Sequence, residues 1–201
     1  MPQDMPRLSK KSEPRIAFYG PMCSGKTFLA NYLVYTYGYT KVGFANKLKA
    51  LAYELFDVSG KDGQDRIILQ QLGVKMREID SLVWIKHTLR NIKYLEDNNK
   101  HARIVVDDLR FKNEEHWLRK NGFILIRVES DENTRVARIA TLYPNAAPEA
   151  SGHASEQEWR GIKPDYIIKS NDVTALVDLE TLYTEILLNA NQNSTYRAKV
   201  G

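Results

Sequence analysis

A glycine-containing segment near the start of the chain carries the strongest chemical signal in the sequence. Residues 20–27 read Gly-Pro-Met-Cys-Ser-Gly-Lys-Thr and match the phosphate-loop pattern G-x-x-x-x-G-K-[ST] between a strand-like and a helix-like stretch. The glycines let the backbone wrap a phosphate, and N–H groups at a helix N-terminus favour its negative charge. Lys26 can reach the β- and γ-phosphates of a nucleotide, and the Thr27 hydroxyl can ligate magnesium. The predicted nucleotide-binding residues are Gly20, Pro21, Met22, Cys23, Ser24, Gly25, Lys26, Thr27 and Phe28.

Two aspartates follow a second buried-strand pattern. The apolar run 104–106 leads directly into Asp107 and Asp108. Beside a phosphate loop, a carboxylate at the end of a strand typically holds magnesium through water, although Asp also begins simple turns. The predicted metal ligands are therefore Thr27, Asp107 and Asp108. In an extended segment Arg110 would project on the same side as Asp108.

One face of a predicted helix over 65–80 is polar. At the spacing i, i+4, i+7 and i+11 it carries Arg66, Gln70, Gly73 and Arg77. Two arginines separated by a glycine suggest a surface that a phosphate or a base approaches closely. A solvated helix face is the alternative.

A second pair of arginines lies on a predicted helix over 131–142. Arg135 and Arg138 are three residues apart and share a face, and we expect Val136, Ile139 and Ala140 to occupy the inner face. Because phosphoryl transfer needs cations around the migrating group, these arginines could supply them from a mobile helix. Exposed arginines without a role are the alternative.

These residues need a scaffold, and the pattern along the chain predicts one in which strands and helices alternate. Strands are predicted over 15–19, 39–44, 102–106, 123–128 and 165–169. Helices are predicted over 26–35, 65–80, 81–98, 113–120, 131–142 and 174–188, with an amphipathic helix around 48–55 and a loop over 143–163. The alternation predicts an α/β domain with a mostly parallel, helix-covered sheet, whose ligands bind at the carboxyl ends of the strands.

Composition narrows the class of protein. The 201 residues are 43% hydrophobic and 27% charged, as expected for one globular domain. The sequence has no apolar run of the roughly 18–20 residues that cross a membrane and no secretory signal, so we expect an intracellular protein. The single cysteine, Cys23, excludes an internal disulfide, and we interpret it as a small loop residue rather than a redox switch. The four histidines lack metal-ligand spacing.

The net charge of +4 lies on the two ends of the chain, which are predicted to be a loose arm over 1–14 and a loose tail over 189–201. The body between them is neutral overall. A duplex-binding domain normally carries its positive excess on the folded part, so binding of nucleic acid is not expected.

Residues 15–188 resemble the bacteriophage deoxynucleoside monophosphate kinases, a branch of the P-loop nucleoside monophosphate kinases. Besides the phosphate loop, the resemblance is carried by Phe-Ala-Asn-Lys-Leu-Lys at 44–49, Leu-Gln-Gln-Leu-Gly at 69–73 with Arg77 and Asp80, Asp-Leu-Arg-Phe-Lys-Asn-Glu at 108–114, and His-Ala-Ser-Glu at 153–156. It implies a three-layer P-loop kinase domain with a five-stranded parallel sheet, a monophosphate-binding helical insertion over 46–97 and a lid over 131–163.

The resemblance also implies a reaction and its residues. The reaction is transfer of the γ-phosphate of ATP, with Mg²⁺, to a deoxynucleoside monophosphate in the cytoplasm of an infected host cell. The implied catalytic residues are Lys26, Arg110, Arg135 and Arg138. The implied monophosphate-binding residues are Asn46, Lys49, Arg66, Gln70, Gly73, Arg77, Trp84, Asp108, Arg110, Ser155 and Glu156. The family often has an acid where this chain has Asn46, so no base preference follows. The oligomeric state is left open, and a homodimer is one alternative.

Two alternative functions stay open at this point. The chain could phosphorylate another small phosphorylated metabolite, or bind ATP without catalysis. A GTPase-type switch is disfavoured, because Asn46-Lys47 is followed by Leu48-Lys49 rather than by the x-Asp of a guanine motif, and it lies too early in the chain.

Overall fold

A five-stranded, wholly parallel sheet forms the centre of the molecule. The computed structural model describes residues 7–8, 13–58, 63–143, 158–171 and 174–200. The strands are β1 (Arg15–Tyr19), β2 (Tyr39–Lys41), β3 (Arg103–Leu109), β4 (Phe123–Glu129) and β5 (Tyr166–Lys169), in the spatial order β2-β3-β1-β4-β5. The predicted fold class is confirmed.

Seven helices within the described ranges connect and cover these strands. They are α1 (Lys26–Tyr37), α2 (Asn46–Phe56), α3 (Gly63–Ile79), α4 (Val83–Asn98), α5 (Lys112–Lys120), α6 (Glu132–Leu142) and α7 (Thr174–Val200). A short 3₁₀ helix covers Glu158–Gly161. None of the helices in the described part is long and apolar enough to cross a membrane.

The sheet has an apolar core on each face, so the domain has three layers. On one face, Ala17 and Val106 pack with residues of α4 and α5, among them Ile85 and Trp117. On the other face, Val105 and neighbouring strand residues pack with α1 and α7. Because all strands are parallel, their carboxyl ends meet at one edge of the sheet, and the residues that follow β1, β3, β4 and β5 are brought together there.

Local sequence explains where several elements begin and end. α1 ends at Gly38, which has a left-handed φ of 68° and bonds back to the last turn. α6 begins at Asp131, whose carboxylate accepts the Thr134 N–H at 2.8 Å. Strand β3 continues past Val106 to Leu109, so Asp107 and Asp108 lie within the strand rather than after it.

The two chain ends differ from the prediction. α7 continues to Val200 instead of ending at residue 188, and 189–200 contains no Pro or Gly to stop it. In the predicted loose arm, Leu8 is buried and its N–H donates to Asn121 Oδ1 at 2.7 Å, while the Pro14 carbonyl accepts from the Tyr39 hydroxyl at 3.0 Å. Residues 1–6 and 9–12 lie outside the described ranges.

Candidate active site

The phosphate loop between β1 and α1 depends on its two glycines. Gly20 and Gly25 have φ values of 138° and 98°, which favour glycine. A Cβ on Gly20 would lie 2.3 Å from the Val128 carbonyl oxygen, and one on Gly25 would lie 2.3 Å from Ser170 Oγ. The loop is therefore packed against the ends of β4 and β5, with a backbone path that larger residues cannot follow. This cradle fits a phosphate group.

Lys26 holds its ammonium group against this loop. Its Nζ donates to the carbonyl oxygens of Gly20 at 3.0 Å and Pro21 at 2.6 Å. The positive charge is thus positioned at the predicted phosphate site. The next two residues, Thr27 and Phe28, are exposed at the start of α1, and 56% of Phe28 is accessible.

Arg138 reaches the loop from α6. Its Nη1 donates to the Cys23 carbonyl at 3.3 Å, and its Nη2 donates to the Ser170 carbonyl at 2.9 Å. Arg135, one turn earlier, forms an ion pair with Glu132 at 2.5 Å. The structure therefore brings Arg138 to the phosphate loop, as a role in catalysis requires.

The predicted inner face of α6 is wrong. Val136 is 53% exposed, Ala140 is exposed, and Ile139 is only half-buried. No residue of α6 is buried, because the helix lies over the phosphate loop instead of the apolar core. Its less exposed side carries the two arginines.

Several positively charged side chains surround the Cys23 thiol in the phosphate loop. Burial raises the pKa of its thiol, and nearby cations oppose that shift. The cations that act on it are Lys26, Arg66, Arg135 and Arg138. A thiol with a raised pKa is a poor nucleophile, which agrees with the interpretation of Cys23 as a small loop residue. The four cations create a positive environment in which a polyphosphate is stabilised.

A cavity of about 280 Å³ opens beside the loop, between α2, α3, α4 and the end of β3. Met22 of the phosphate loop contributes to its wall. The predicted monophosphate-binding residues that line it are Lys49, Arg66, Gln70, Gly73, Arg77, Trp84, Asp108 and Arg110. The structure thus gathers residues from four separate segments of the chain around one space.

Three predicted residues are not in this group. Asn46 lines a separate pocket with Lys41 and Tyr94, although a Cβ on Gly43 would lie 2.7 Å from both Asn46 Oδ1 and Asp108 Oδ2. Its contact with a monophosphate stays a prediction. Ser155 and Glu156 lie outside the described ranges.

The wall also contains residues that had no predicted role in binding. They are Phe44, Ala45, Leu48, Leu69, Phe111, Glu114 and Tyr143. With Trp84, three of them give the cavity four aromatic side chains. Phe44 and Trp84 belong to the buried core, whereas Phe111 and Tyr143 are partly exposed. Phe44, Phe111 and Glu114 fall within the motifs of the family resemblance, which was the signal that could have found them. Tyr143 had no such signal.

The two aspartates after Val106 have different surroundings. The Asp108 carboxylate accepts the N–H groups of Phe44 at 3.0 Å and Ala45 at 2.9 Å, and burial raises its pKa. Both oxygens therefore hold the segment before α2, so the prediction of Asp108 as a metal ligand is not supported by its contacts. Asp107 forms an ion pair with Lys41 at 3.5 Å, and Lys41 in turn bonds Asn31 of α1. Asp107 thus lies on the α1 side of the sheet, where the phosphate loop continues.

The donor chemistry is compatible with magnesium carried by a nucleotide. Among the described residues, no group of three or more His, Cys, Asp or Glu side chains could hold a metal by itself. The Thr27 hydroxyl and the Asp107 carboxylate are oxygen donors of the kind that Mg²⁺ prefers, and substrate phosphates commonly supply the rest of its coordination.

The two arginines on the polar face of α3 have different partners. Arg66 Nη2 lies 3.5 Å from Met22 Sδ, and its guanidinium stacks over the Tyr143 ring at 4.3 Å. Arg77 donates to the Gly73 carbonyl at 3.2 Å and stacks over the Phe111 ring at 4.0 Å. The alternative of a freely solvated helix face is therefore excluded.

Glu114 is a buried acid in the cavity wall. It is 2% exposed, and its Oε2 accepts the backbone N–H groups of Arg110 at 2.9 Å and Phe111 at 3.1 Å. Its Oε1 lies 3.5 Å from Arg77 Nη2. Burial raises the pKa of this carboxyl to about 7. Glu114 thus joins the start of α5 to Arg77 of α3.

Several known proteins are similar to this chain in sequence or in fold. A family model described as AAA domain matches residues 16–156. A protein of Acanthamoeba polyphaga mimivirus named "Putative deoxynucleotide monophosphate kinase" is 27% identical over 198 residues, a match that covers 86% of this chain and 93% of that protein. Two solved structures are similar: TT1252 from Thermus thermophilus (TM-score 0.55, 18% identity, 88% of this chain and 98% of that one) and a gluconokinase from Sinorhizobium meliloti 1021 (TM-score 0.54, 11%, 90% and 99%). At these identities the structures show the fold alone.

Proposed function

This chain belongs to the AAA domain family, and we propose that it is a deoxynucleoside monophosphate kinase of the bacteriophage type. It transfers the γ-phosphate of ATP to a deoxynucleoside monophosphate and releases ADP and a deoxynucleoside diphosphate. The observation that carries the proposal is the position of the 280 Å³ cavity beside the phosphate loop. Met22 belongs to the loop and also to the cavity wall, so a donor site and an acceptor site adjoin.

The lining of the cavity favours a nucleotide as the acceptor. A monophosphate needs cations, and Arg66, Arg110 and Lys49 supply them. A nucleobase needs a flat apolar surface, and the partly exposed rings of Phe111 and Tyr143 provide one. Because a small polyol phosphate needs no aromatic surface, we prefer a nucleotide acceptor over another phosphorylated metabolite.

The reaction requires no strong base. An oxygen of the acceptor phosphate is already ionised at neutral pH, so it attacks the γ-phosphorus directly while the bond to the oxygen bridging the β- and γ-phosphates breaks. The electron pair of that bond stays on ADP, and no proton has to be removed. Catalysis then depends on positioning and on the neutralisation of charge.

The residues of this chain divide these tasks. The loop 20–27 and Lys26 hold the phosphates of the donor. Arg66 and Arg110 hold the acceptor phosphate, and Arg138, with Arg135 beside it, faces the loop from α6. Thr27 and Asp107 would hold Mg²⁺, which neutralises charge on the phosphates when it is bound. Closure of α6 over the loop excludes water, which would otherwise hydrolyse ATP.

Production of ADP tests the proposal. The purified protein, ATP and Mg²⁺ are combined in a coupled assay with each of dAMP, dCMP, dGMP and dTMP, with the four ribonucleotides, and with gluconate and shikimate. We expect ADP production to depend on at least one deoxynucleoside monophosphate. Turnover with a sugar or shikimate alone, or binding of ATP without turnover of any acceptor, would refute the proposal.

A further inference from the structure

The acceptor cavity has two chemically different ends. Arg66 and Arg77 stand on the same face of α3 but are eleven residues apart, which places their Cα atoms about 16 Å apart along the helix axis. The contacts fix each guanidinium at its own end. Arg66 touches Met22 of the phosphate loop, whereas Arg77 stacks on Phe111 and faces Glu114.

The end at Met22 must receive the acceptor phosphate, because the γ-phosphoryl group is transferred at the phosphate loop. An extended mononucleotide that places its phosphate there directs its base away from the loop. Within the cavity wall, that direction leads toward Arg77, Phe111 and Glu114. In this orientation Arg77 faces the base rather than the phosphate, whereas the spacing along α3 alone left both alternatives open.

We propose that Arg77 and Glu114 contact the base of the acceptor and select among deoxynucleoside monophosphates. The Phe111 ring, on which Arg77 stacks, completes this end of the cavity. The inference rests on the proposed function. In this arrangement Arg66 holds the phosphate that all acceptors share, and Arg77 and Glu114 contact the part in which they differ.

The chemistry of the pair suits this task. A guanidinium only donates hydrogen bonds, whereas the Glu114 carboxyl accepts them and, when it is protonated, also donates one. Every nucleobase presents donors and acceptors on its edge, in an order that differs from base to base. A donor and an acceptor held at fixed positions therefore match some bases and leave others with unsatisfied groups. Such a mismatch in a closed site costs far more than the loss of an apolar contact.

The positions of the two groups are fixed by their surroundings. Glu114 is 2% exposed and receives two backbone N–H groups through Oε2, which leaves Oε1 directed to Arg77 at 3.5 Å. Arg77 is held by the Gly73 carbonyl and by the Phe111 ring. A Cβ at position 73 would lie 3.3 Å from Arg77 Nη1, so the glycine gives the guanidinium room.

Kinetics with four acceptors test the inference. At saturating ATP, kcat/KM is measured for dAMP, dCMP, dGMP and dTMP with the wild type, Arg77→Ala, Glu114→Gln and Arg66→Ala. A monophosphate that is not turned over is measured as a competitive inhibitor against one that is. Arg66→Ala is the matched control, since it removes the same side chain from the same face of the same helix at the other end of the cavity.

We expect Arg66→Ala to weaken all four acceptors by a common factor of roughly ten to a hundred, the effect of one charged hydrogen bond. Arg77→Ala and Glu114→Gln should change the ratio between the best and the poorest base by tenfold or more, with the KM for ATP unchanged. Glutamine keeps the acceptor for the N–H groups of Arg110 and Phe111 but always carries a donor, so its effect should differ in sign between bases.

A common factor for all four bases in both Arg77→Ala and Glu114→Gln would overturn the inference, because a merely structural role weakens every acceptor alike. If Glu114→Gln does not fold, Arg77→Lys decides: it keeps the charge beside Glu114 but loses the planar fork, and an unchanged base ratio would equally overturn the inference. A wild-type protein that phosphorylates and binds none of the four refutes the proposed function, and the inference fails with it.

Discussion

Replacement of Arg138 by alanine should lower kcat by roughly 10²–10³-fold, with small changes in KM for ATP and for the monophosphate. The hydrogen-bond acceptors of this guanidinium are the carbonyl oxygens of Cys23 and Ser170, at 3.3 and 2.9 Å, so its charge lies against the phosphate loop. During transfer, charge moves to the bridging oxygen of ADP. A contact that strengthens only in the transition state lowers kcat when it is lost.

The magnitude follows from what such a contact contributes. Loss of one donor to developing negative charge costs about 2.7–4 kcal/mol, which is the factor of 10²–10³. Arg138→Lys should recover only part of the lost kcat. An ammonium group cannot make the planar two-point contact that a guanidinium makes with two carbonyl oxygens or with two phosphate oxygens.

Steady-state kinetics in the ADP assay, with each substrate varied in turn, measure the effect. Arg90→Ala is the control, because Arg90 is an exposed arginine of α4 whose side chain bonds only its own helix among the contacts described. If kcat of Arg138→Ala stays within about twofold of the wild type, Arg138 is a surface charge and the assignment of α6 as the lid is refuted.

Three further changes test other parts of the account. Lys26→Met should lower turnover about 10³-fold or more while the circular dichroism spectrum is unchanged; near-normal turnover would remove Lys26 from the mechanism. Glu96→Ala should lower the free energy of unfolding by about 3–5 kcal/mol in urea titration, because it leaves Arg15 without the carboxylate 2.5 Å away in a site where both side chains are 6% exposed; a loss below about 1 kcal/mol would contradict this. Burial raises the pKa of the Glu114 carboxyl from its usual 4.5 to about 7, so the folded state favours the protonated form. The contribution of this carboxyl to the free energy of unfolding is therefore fully present below pH 4.5 and lost as the pH rises through 7. The unfolding free energy of the wild type should therefore fall relative to that of Glu114→Gln over this range, and a constant difference would show that the carboxyl is not perturbed.

The sequence predicted the phosphate loop correctly because its chemistry is local. Gly20, Gly25 and Lys26 lie within seven consecutive residues, and their roles follow from one turn between a strand and a helix. The α/β class was predictable for the same reason, since the alternation of apolar runs and helical patterns is read over short windows.

The proposed acceptor site was predictable only in part, because it is assembled from distant segments. Helical spacing placed Arg66 and Arg77 on one face of α3, but it could not show that they reach opposite ends of a cavity. The partners that define those ends, Tyr143 and Glu114, lie far along the chain. Asp107 and Asp108 show the same limit: adjacent residues of a strand point to opposite faces, and only the sheet reveals which face adjoins α1.

The inner face of α6 was wrongly predicted for a related reason. The pattern of Val136, Ile139 and Ala140 resembles a stripe that packs on a core, and periodicity alone does not distinguish a core from a charged loop. In the structure the contact is polar, between Arg138 and the backbone of the phosphate loop.

Transfer of label tests the central claim most directly. The protein is incubated with ATP labelled in its γ-phosphate, Mg²⁺ and the four deoxynucleoside monophosphates, and the products are separated. The account predicts that the label moves to a deoxynucleoside diphosphate in amounts equal to the ADP formed, and that this transfer is lost in Lys26→Met. Label found only in inorganic phosphate, or retained in ATP, would contradict it.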